Sequence, residues 1–146
     1  MADGFGLNNQ EVFNKGSIAT FNLMLHILEQ FLQVGKICIL EANFKKYEIE
    51  DIQKLLTKYN STCLTYLFRA DFEIIFRRYI ERDKQGKRHW VHKIGGESNI
   101  EDFENGHRKT GMGEIGIGKI IEVDTTNFEK VDYDKLLMDV KKYLDE

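Results

Sequence analysis

The 146-residue sequence has no proline, so no helix end or turn can depend on one. It has only two cysteines, Cys38 and Cys63, and both lie in short apolar runs. They predict buried thiols in a reducing compartment, which favours a cytoplasmic protein over a disulfide-stapled one. The sequence has no apolar run of membrane-spanning length, and its N-terminus has no basic segment followed by an apolar one. We therefore expect neither a transmembrane helix nor a secretory signal.

The sequence also lacks a strong excess of either charge. Its formal net charge is −3, which argues against a general nucleic-acid-binding coat. Hydrophobic residues make up 42% of the chain and charged residues 31%, a composition that supports a folded core. The length fits one domain spanning residues 1–146 better than two.

The hydrophobic pattern predicts helices that alternate with strands. The predicted helices cover about 13–34, 47–59, 71–82, 99–105 and 132–144, and the predicted strands 37–41, 62–68 and 119–123. The first strand is a continuous apolar run, as in strands covered on both faces of a parallel sheet. Gly35 is expected to end the first helix and Asp71 to cap the third. This order predicts an α/β layered fold with a mostly parallel sheet.

Positive charge is concentrated between Arg77 and Lys93, where seven Lys or Arg residues and two acids give a local charge of +5. Arg78 and Arg82 are four residues apart and share a helix face. Guanidinium groups suit phosphate oxygens, so the segment is a candidate anion site. The alternative is a solvated helix face, since Glu81 and Asp83 are interleaved with the bases.

Polar residues follow two of the predicted strands. Glu41 and Asn43 end the first strand, at the sheet edge where open parallel sheets bind ligands. Glu41 can serve as a base or hold a metal-bound water there; alternatively it caps the next helix or pairs with a lysine. The stretch 124–126 (Asp-Thr-Thr) follows the last strand and can bind a nucleotide base or ribose, or can simply form a turn.

Two further patterns are weak. His89 and His92, with His107 beyond them, have no cysteine or carboxylate partners at zinc-site spacing, so we expect no metal site. The stretch 111–116 matches G-x-G-x-x-G, but it precedes a predicted strand and opens no helix. Dinucleotide phosphates bind at a helix N-terminus, so a connector is the better interpretation.

Three stretches together resemble a known family. ICILEANF (37–44), RRYIERDKQGKRHWVH (77–92) and IIEVDTTNFEKVDYDKLL (120–137) are similar in order and spacing to the P-loop small-molecule kinases. This group contains zeta-toxin-like kinases, chloramphenicol phosphotransferase and the kinase part of polynucleotide kinases. The resemblance covers nearly the whole chain, and its most specific part is R-x3-R followed by G-x-RH-x2-H.

The resemblance implies a P-loop-NTPase-like three-layer sandwich that uses ATP and Mg²⁺. The arginine-rich stretch, about 77–95, matches the family's lid, which closes on ATP phosphates. The implied catalytic residues are Glu41, near the acceptor and the magnesium, and the lid arginines Arg78, Arg82 and Arg88. The implied nucleotide-binding residues are those three arginines with His89, Asp124, Thr125 and Thr126. Asn43, Phe44 and His92 are the implied substrate-binding residues.

The sequence departs from the family at its start. The family's G-x-x-x-x-G-K-[ST] loop, which holds the β- and γ-phosphates, has no match in these 146 residues. The resemblance therefore implies a domain truncated at the N-terminus, without its central P-loop strand. We expect exposed strand edges and, from them, self-association or an altered sheet order.

Two functions remain open on the sequence. One is an ATP-dependent phosphotransferase acting on the hydroxyl of a small molecule, nucleotide or sugar, and inactive as this chain alone. The other is a non-catalytic module that binds an anion or a partner. The plainest alternative is an α/β domain with a basic surface helix. The irregular stretch 93–118 carries no pattern that identifies an acceptor.

Overall fold

The computed structural model describes residues 10–86, 99–111 and 116–145, and for residues 10–14 and 110 it describes the backbone alone. It is a mixed α/β protein, as the sequence predicts. Its helices are α1 (Gln10–Gln33), α2 (Lys46–Lys58), α3 (Phe72–Lys84), α4 (Ile100–Thr110) and α5 (Tyr133–Asp145); its strands are β1 (Leu64–Arg69) and β2 (Lys119–Asp124). A short 3-10 turn at Phe128–Lys130 precedes α5.

The described strands form a two-stranded parallel sheet. Their register runs from Leu64 opposite Lys119 to Arg69 opposite Asp124, so both strands end at the same level. Leu67 and Val123 are the buried residues of the pair. The parallel arrangement is as predicted, and it brings the residues that follow the two strands to one edge of the sheet.

The predicted strand at 37–41 is wrong. These residues form no strand, and Ile37 and Ile39 are 67% and 90% exposed instead of covered on both faces. A strand needs a neighbouring backbone to bond its N–H and C=O groups. Within the described ranges β1 and β2 pair only with each other, so this run has no ladder partner. Apolar composition reveals a tendency to be buried, but it does not supply that partner.

The chain forms two compact units, 1–42 with 50–61 and 43–49 with 62–146. In the first unit the buried side chains are Leu28, Ile52 and Leu56. Glu29 on α1 accepts hydrogen bonds from Lys58 Nζ at 2.7 Å and from the Tyr59 hydroxyl at 2.9 Å. These two bonds lower the pKa of the Glu29 carboxyl below its ordinary value. The expectation of one domain stays a prediction.

Gly35 ends α1 as predicted. It has a φ of +63°, and the N–H of the next residue, Lys36, donates to the Phe31 carbonyl at 2.9 Å. Asp71 precedes α3 as predicted, but its side chain makes no capping bond. Its backbone carbonyl instead accepts from Ile75 N–H at 2.9 Å, so the expected capping mechanism is wrong while the position holds.

Aromatic side chains join α3 to α4 in the second unit. Phe103 of α4 is 9% exposed, and its ring centroid lies 5.5 Å from that of Phe76 and 5.1 Å from that of Tyr79, both on α3. The centroid of the His107 ring lies 4.2 Å from that of Phe103. The predicted short helix at 99–105 is confirmed, and it ends five residues later than predicted, at Thr110, where Gly111 closes it with a φ of +62°.

The remaining predictions about glycine and cysteine have mixed outcomes. Gly111 ends a helix and Gly116 lies before β2, so the described ends of the G-x-G-x-x-G stretch open no helix; residues 112–115 lie outside the described ranges.

Cys38 and Cys63 are free thiols, but half-buried where full burial was expected. Burial raises the pKa of the Cys63 thiol. Among the described helices, none has the length and hydropathy to cross a bilayer.

Candidate functional site

The loop after β2 is tied to the end of β1. The Thr125 N–H donates to the Arg69 carbonyl at 2.6 Å, and the Thr125 hydroxyl donates to the same oxygen at 2.8 Å. Thr125 is 9% exposed, so both bonds lie inside the protein. The Asp71 N–H donates to the Thr126 hydroxyl at 3.4 Å. Strand pairing thus continues beyond the last ladder pair and fixes the stretch 124–126, called here the strand-end loop.

Arg78 connects α3 to the strand-end loop. Its Nη2 donates to the Thr125 carbonyl at 2.8 Å and to the Thr126 carbonyl at 2.9 Å. Its Cζ lies 4.2 Å from the centroid of the Phe128 ring, and its side chain is half-buried. A planar guanidinium suits this double contact, with two donors aimed at carbonyls and a face left for the ring. Helix α3, called here the arginine helix, therefore reaches the carboxyl edge of the sheet through Arg78.

Arg82, one turn further along α3, is in different surroundings. It is exposed, and its Cζ lies 4.5 Å from the centroid of the Tyr79 ring. Tyr79 in turn packs against Phe103, so the aromatic cluster between α3 and α4 supports the Arg82 stem. The two arginines share a helix face, as their spacing predicts. One of them is bound to backbone, while the other lies at the surface.

The Asp124 carboxylate is held by its own loop. Its Oδ1 accepts a hydrogen bond from the Thr126 N–H at 2.8 Å. This bond favours the charged form and lowers the pKa of Asp124 below its ordinary value. The residue is exposed, so at neutral pH an ionised carboxylate lies beside the edge that Arg78 occupies. An arginine, a carboxylate and a threonine hydroxyl can together bind a polar ligand.

The structure brings together only part of the predicted site. Arg78, Asp124, Thr125 and Thr126 are neighbours, and Arg82 is on the same helix as Arg78. Glu41 and Asn43 are exposed and Phe44 is half-buried; Glu41 belongs to the first compact unit and the other two to the second. Arg88, His89 and His92 lie outside the described residues.

Sequence reasoning missed two contributors to this edge, Phe128 and the backbone of Arg69. Phe128 provides the ring beneath Arg78, in a turn where the Asn127 side chain accepts from the Glu129 N–H at 2.9 Å. Asn-Phe directly after Asp-Thr-Thr could have marked that turn. The Arg69 carbonyl is a main-chain group, and no residue-type pattern identifies it.

The histidine pattern has one described member. His107 lies on α4, with its Nδ1 2.9 Å from the Phe103 carbonyl oxygen. In the parts of the chain that the structure describes, no group of three His, Cys, Asp or Glu side chains is placed to hold a metal ion.

The fold is similar to that of a protein from Chloroflexus aurantiacus whose crystal structure is described as that of a "putative kinase". The TM-score is 0.74 and the sequence identity 24%, and the similarity covers 98% of this chain and 74% of that one. No protein-family model matches the sequence, and no curated protein matches it. The comparison therefore supports a mixed α/β fold like that of this neighbour, while the P-loop sandwich and its truncation stay predictions. An identity this low shows the fold alone.

Proposed function

We propose that this chain is a kinase-like phosphotransferase domain of the P-loop class, which transfers the γ-phosphate of ATP to a hydroxyl group. One observation carries the proposal: Arg78 of the arginine helix meets Thr125 and Thr126 at the carboxyl edge of parallel strands. Ligands of open α/β sheets bind at this edge. The likeness to the Chloroflexus protein supports the same interpretation at the level of the fold.

The proposed roles fall to three groups of residues, which bind the phosphates, the nucleotide base and the acceptor. Arg82 and Arg88 contact the phosphates, because guanidinium groups match phosphate oxygens and stabilise the charge that spreads over a transferring phosphoryl group. The strand-end loop, with the Asp124 carboxylate, takes the nucleotide base. The acceptor end rests on the sequence resemblance alone, which implies that Glu41 orients or deprotonates the hydroxyl and that Asn43, Phe44 and His92 bind the substrate.

The residues present fit a triphosphate only in part. Arginine supplies charge, but no G-x-x-x-x-G-K-[ST] loop occurs in these residues to surround the β- and γ-phosphates with amides and a lysine. The resemblance places Mg²⁺ near Glu41, and Mg²⁺ usually keeps several waters and is bound by one or two carboxylates together with substrate phosphates. We therefore propose weak Mg-ATP binding and no measurable phosphoryl transfer by this chain alone.

The test is calorimetric titration of the 146-residue chain with Mg-ATP. Arg82→Gln should weaken binding by about tenfold, because a charge-assisted hydrogen bond contributes roughly 1.5 kcal/mol. Arg77→Gln is the matched control, since Arg77 is an exposed arginine on the same helix. Equal affinities for ATP and adenosine, or equal losses in the two variants, would contradict phosphate recognition by Arg82.

A non-catalytic anion-binding module is the second candidate, favoured by the exposed guanidinium of Arg82, which can bind an anion without any catalysis. The two candidates differ once a phosphate-binding loop is supplied. A strand–G-x-x-x-x-G-K-[ST]–helix segment fused in frame should produce transfer of labelled phosphate from ATP to hydroxyl acceptors if the domain is a phosphotransferase. Anion binding that persists without transfer, in a fused protein that binds Mg-ATP tightly, would favour the module.

A further inference from the structure

Arg78 and Arg82 match the same sequence pattern, but they have different partners. Both Arg78 contacts to the strand-end loop use the same nitrogen, Nη2, which has two protons and donates to two carbonyls. The face of the guanidinium lies against Phe128. A phosphate that recruited Nη2 would have to displace one of these carbonyls, so an anion could reach Arg78 only through its Nε and Nη1 donors. Arg82 is exposed and lies over a tyrosine ring, where a phosphate would displace no hydrogen bond to the backbone of the described residues.

The carbonyls that Arg78 holds belong to the loop segment with the most connections at this edge. The Thr125 N–H and hydroxyl both donate to Arg69, and the Thr126 hydroxyl accepts from Asp71. The Thr126 N–H is used by Asp124. The N–H groups of Thr125 and Thr126 are therefore held by β1 and by Asp124, and their carbonyls are held by Arg78. These bonds hold the backbone at 125 and 126 in one orientation. The direction of the Asp124 carboxylate depends on that orientation.

From this geometry we infer that Arg78 acts mainly as a positioning residue, and that Arg82 rather than Arg78 is the main phosphate ligand. Arg78 fixes the strand-end loop so that the Asp124 carboxylate and the Thr126 hydroxyl are presented to the base of a nucleotide. The inference rests on the proposed function for the base, but the fixing of the loop stands independently of it. It divides the arginine pair into Arg78, which acts through the loop on the base, and Arg82, which acts on the phosphates.

The test compares two ligands that share the phosphates but not the base. Tripolyphosphate and ATP are titrated into the wild-type chain and into Arg78→Met, Arg82→Gln and Arg77→Met. Methionine retains an unbranched apolar stem against Phe128 while removing the donors. We expect Arg78→Met to bind tripolyphosphate as wild type does and to lose most of the extra affinity for ATP, about fivefold or more. Arg82→Gln should weaken both ligands by the same factor.

Amide hydrogen exchange measured without ligand reports on the loop directly. Arg78→Met should speed exchange at the 125 and 126 amides at least tenfold relative to wild type, while the amides of α5 keep their rates. Arg77→Met should change neither region, and Arg78→Lys should restore part of the protection because an ammonium group can also donate to carbonyls. If Arg78 contributed only to global stability, Arg78→Met would accelerate exchange in every element. It would then leave the ratio of the affinities for ATP and tripolyphosphate unchanged.

Each outcome decides one claim. If the wild-type chain binds ATP no more tightly than tripolyphosphate, the proposal that the loop binds the base is overturned. If wild type binds neither ligand, the proposed function fails, and the exchange experiment alone decides whether Arg78 fixes the loop. If Arg78→Met weakens tripolyphosphate as strongly as ATP, Arg78 is a phosphate ligand and the inference is overturned. Unchanged exchange at 125 and 126 overturns it as well.

Discussion

At the scale of single residues, Gly118 shows how one position fixes the entry into β2. Its φ is +68°, and a Cβ at this position would overlap the carbonyl oxygen of Cys63. That same carbonyl accepts the Lys119 N–H at 2.9 Å, the bond that starts the pairing of β2 with β1. The chain therefore needs a residue without a side chain where the two strands first approach.

We predict that Gly118→Ala destabilises the protein by about 3 kcal/mol, since a left-handed alanine costs roughly 1–2 kcal/mol and the overlap adds a similar amount. Denaturant unfolding followed by circular dichroism measures the change. Gly106→Ala is the matched control, because Gly106 lies inside α4 and a Cβ there meets no atom within 4 Å. It should stabilise by up to about 1 kcal/mol. Equal midpoints for the two variants would contradict the role of Gly118.

At the scale of elements, the buried Phe103 ring is the centre of the contact between α3 and α4, to which the Phe72–His107 ring pair also contributes. Phe103 is the buried aromatic residue of α4, and Phe76, Tyr79 and His107 surround it. Aromatic residues of α3 thus pack on one side of the helix while Arg78 reaches the sheet edge. The orientation of α3, and with it the placement of Arg78, depends on this packing.

We predict that Phe103→Ala costs about 3–4 kcal/mol of unfolding free energy, the range for truncating a buried aromatic ring. The cost is a large share of a typical domain stability of about 5–15 kcal/mol. Phe68→Ala is the control, since the Phe68 ring is 57% exposed, and its loss should cost under about 1.5 kcal/mol. Thermal and denaturant unfolding report both values. A cost for Phe103→Ala no larger than the control's would show that α4 adds little to the fold.

At the scale of the whole molecule, the apolar surface of the first compact unit has the clearest consequence. Val34 and Ile37 are each 67% exposed and Ile39 is 90% exposed, so three large aliphatic side chains within six residues lie in water. Clusters of this kind favour association between chains. The strand edges expected from the sequence and the unpaired apolar run at 37–41 both favour self-association. Self-association stays a prediction.

We predict that sedimentation and size-exclusion experiments will show a concentration-dependent mass above that of one chain. The double change Ile37→Lys with Ile39→Lys should shift the protein toward the monomer, because two charges oppose burial of the run. A double change of the same type on solvated polar positions, Gln53→Lys with Thr57→Lys, should leave the distribution unaltered. A wild-type monomer that is stable to dilution would rule out the association.

The sequence by itself determined the elements whose signals are local. Periodic apolar residues predicted four of the five described helices, and the short helix near 99–105 was expected without such a pattern. The Gly35 cap and the two parallel strands were found where expected. It also placed Arg78 and the stretch 124–126 among the candidate site residues, because an arginine spacing and a strand end are visible in the residue order; their function stays a prediction. These features depend on neighbours within a few positions along the chain.

Only the tertiary structure decided the features that depend on distant partners. The run at 37–41 has the composition of a strand but no ladder partner among the described residues, and composition does not reveal which backbone lies beside it. Arg78 and Arg82 are equivalent by spacing, yet Arg78 bonds carbonyls 47 and 48 residues away while Arg82 lies at the surface. A side chain's role follows from the groups that folding brings to it, and those contacts close long loops that residue order does not specify.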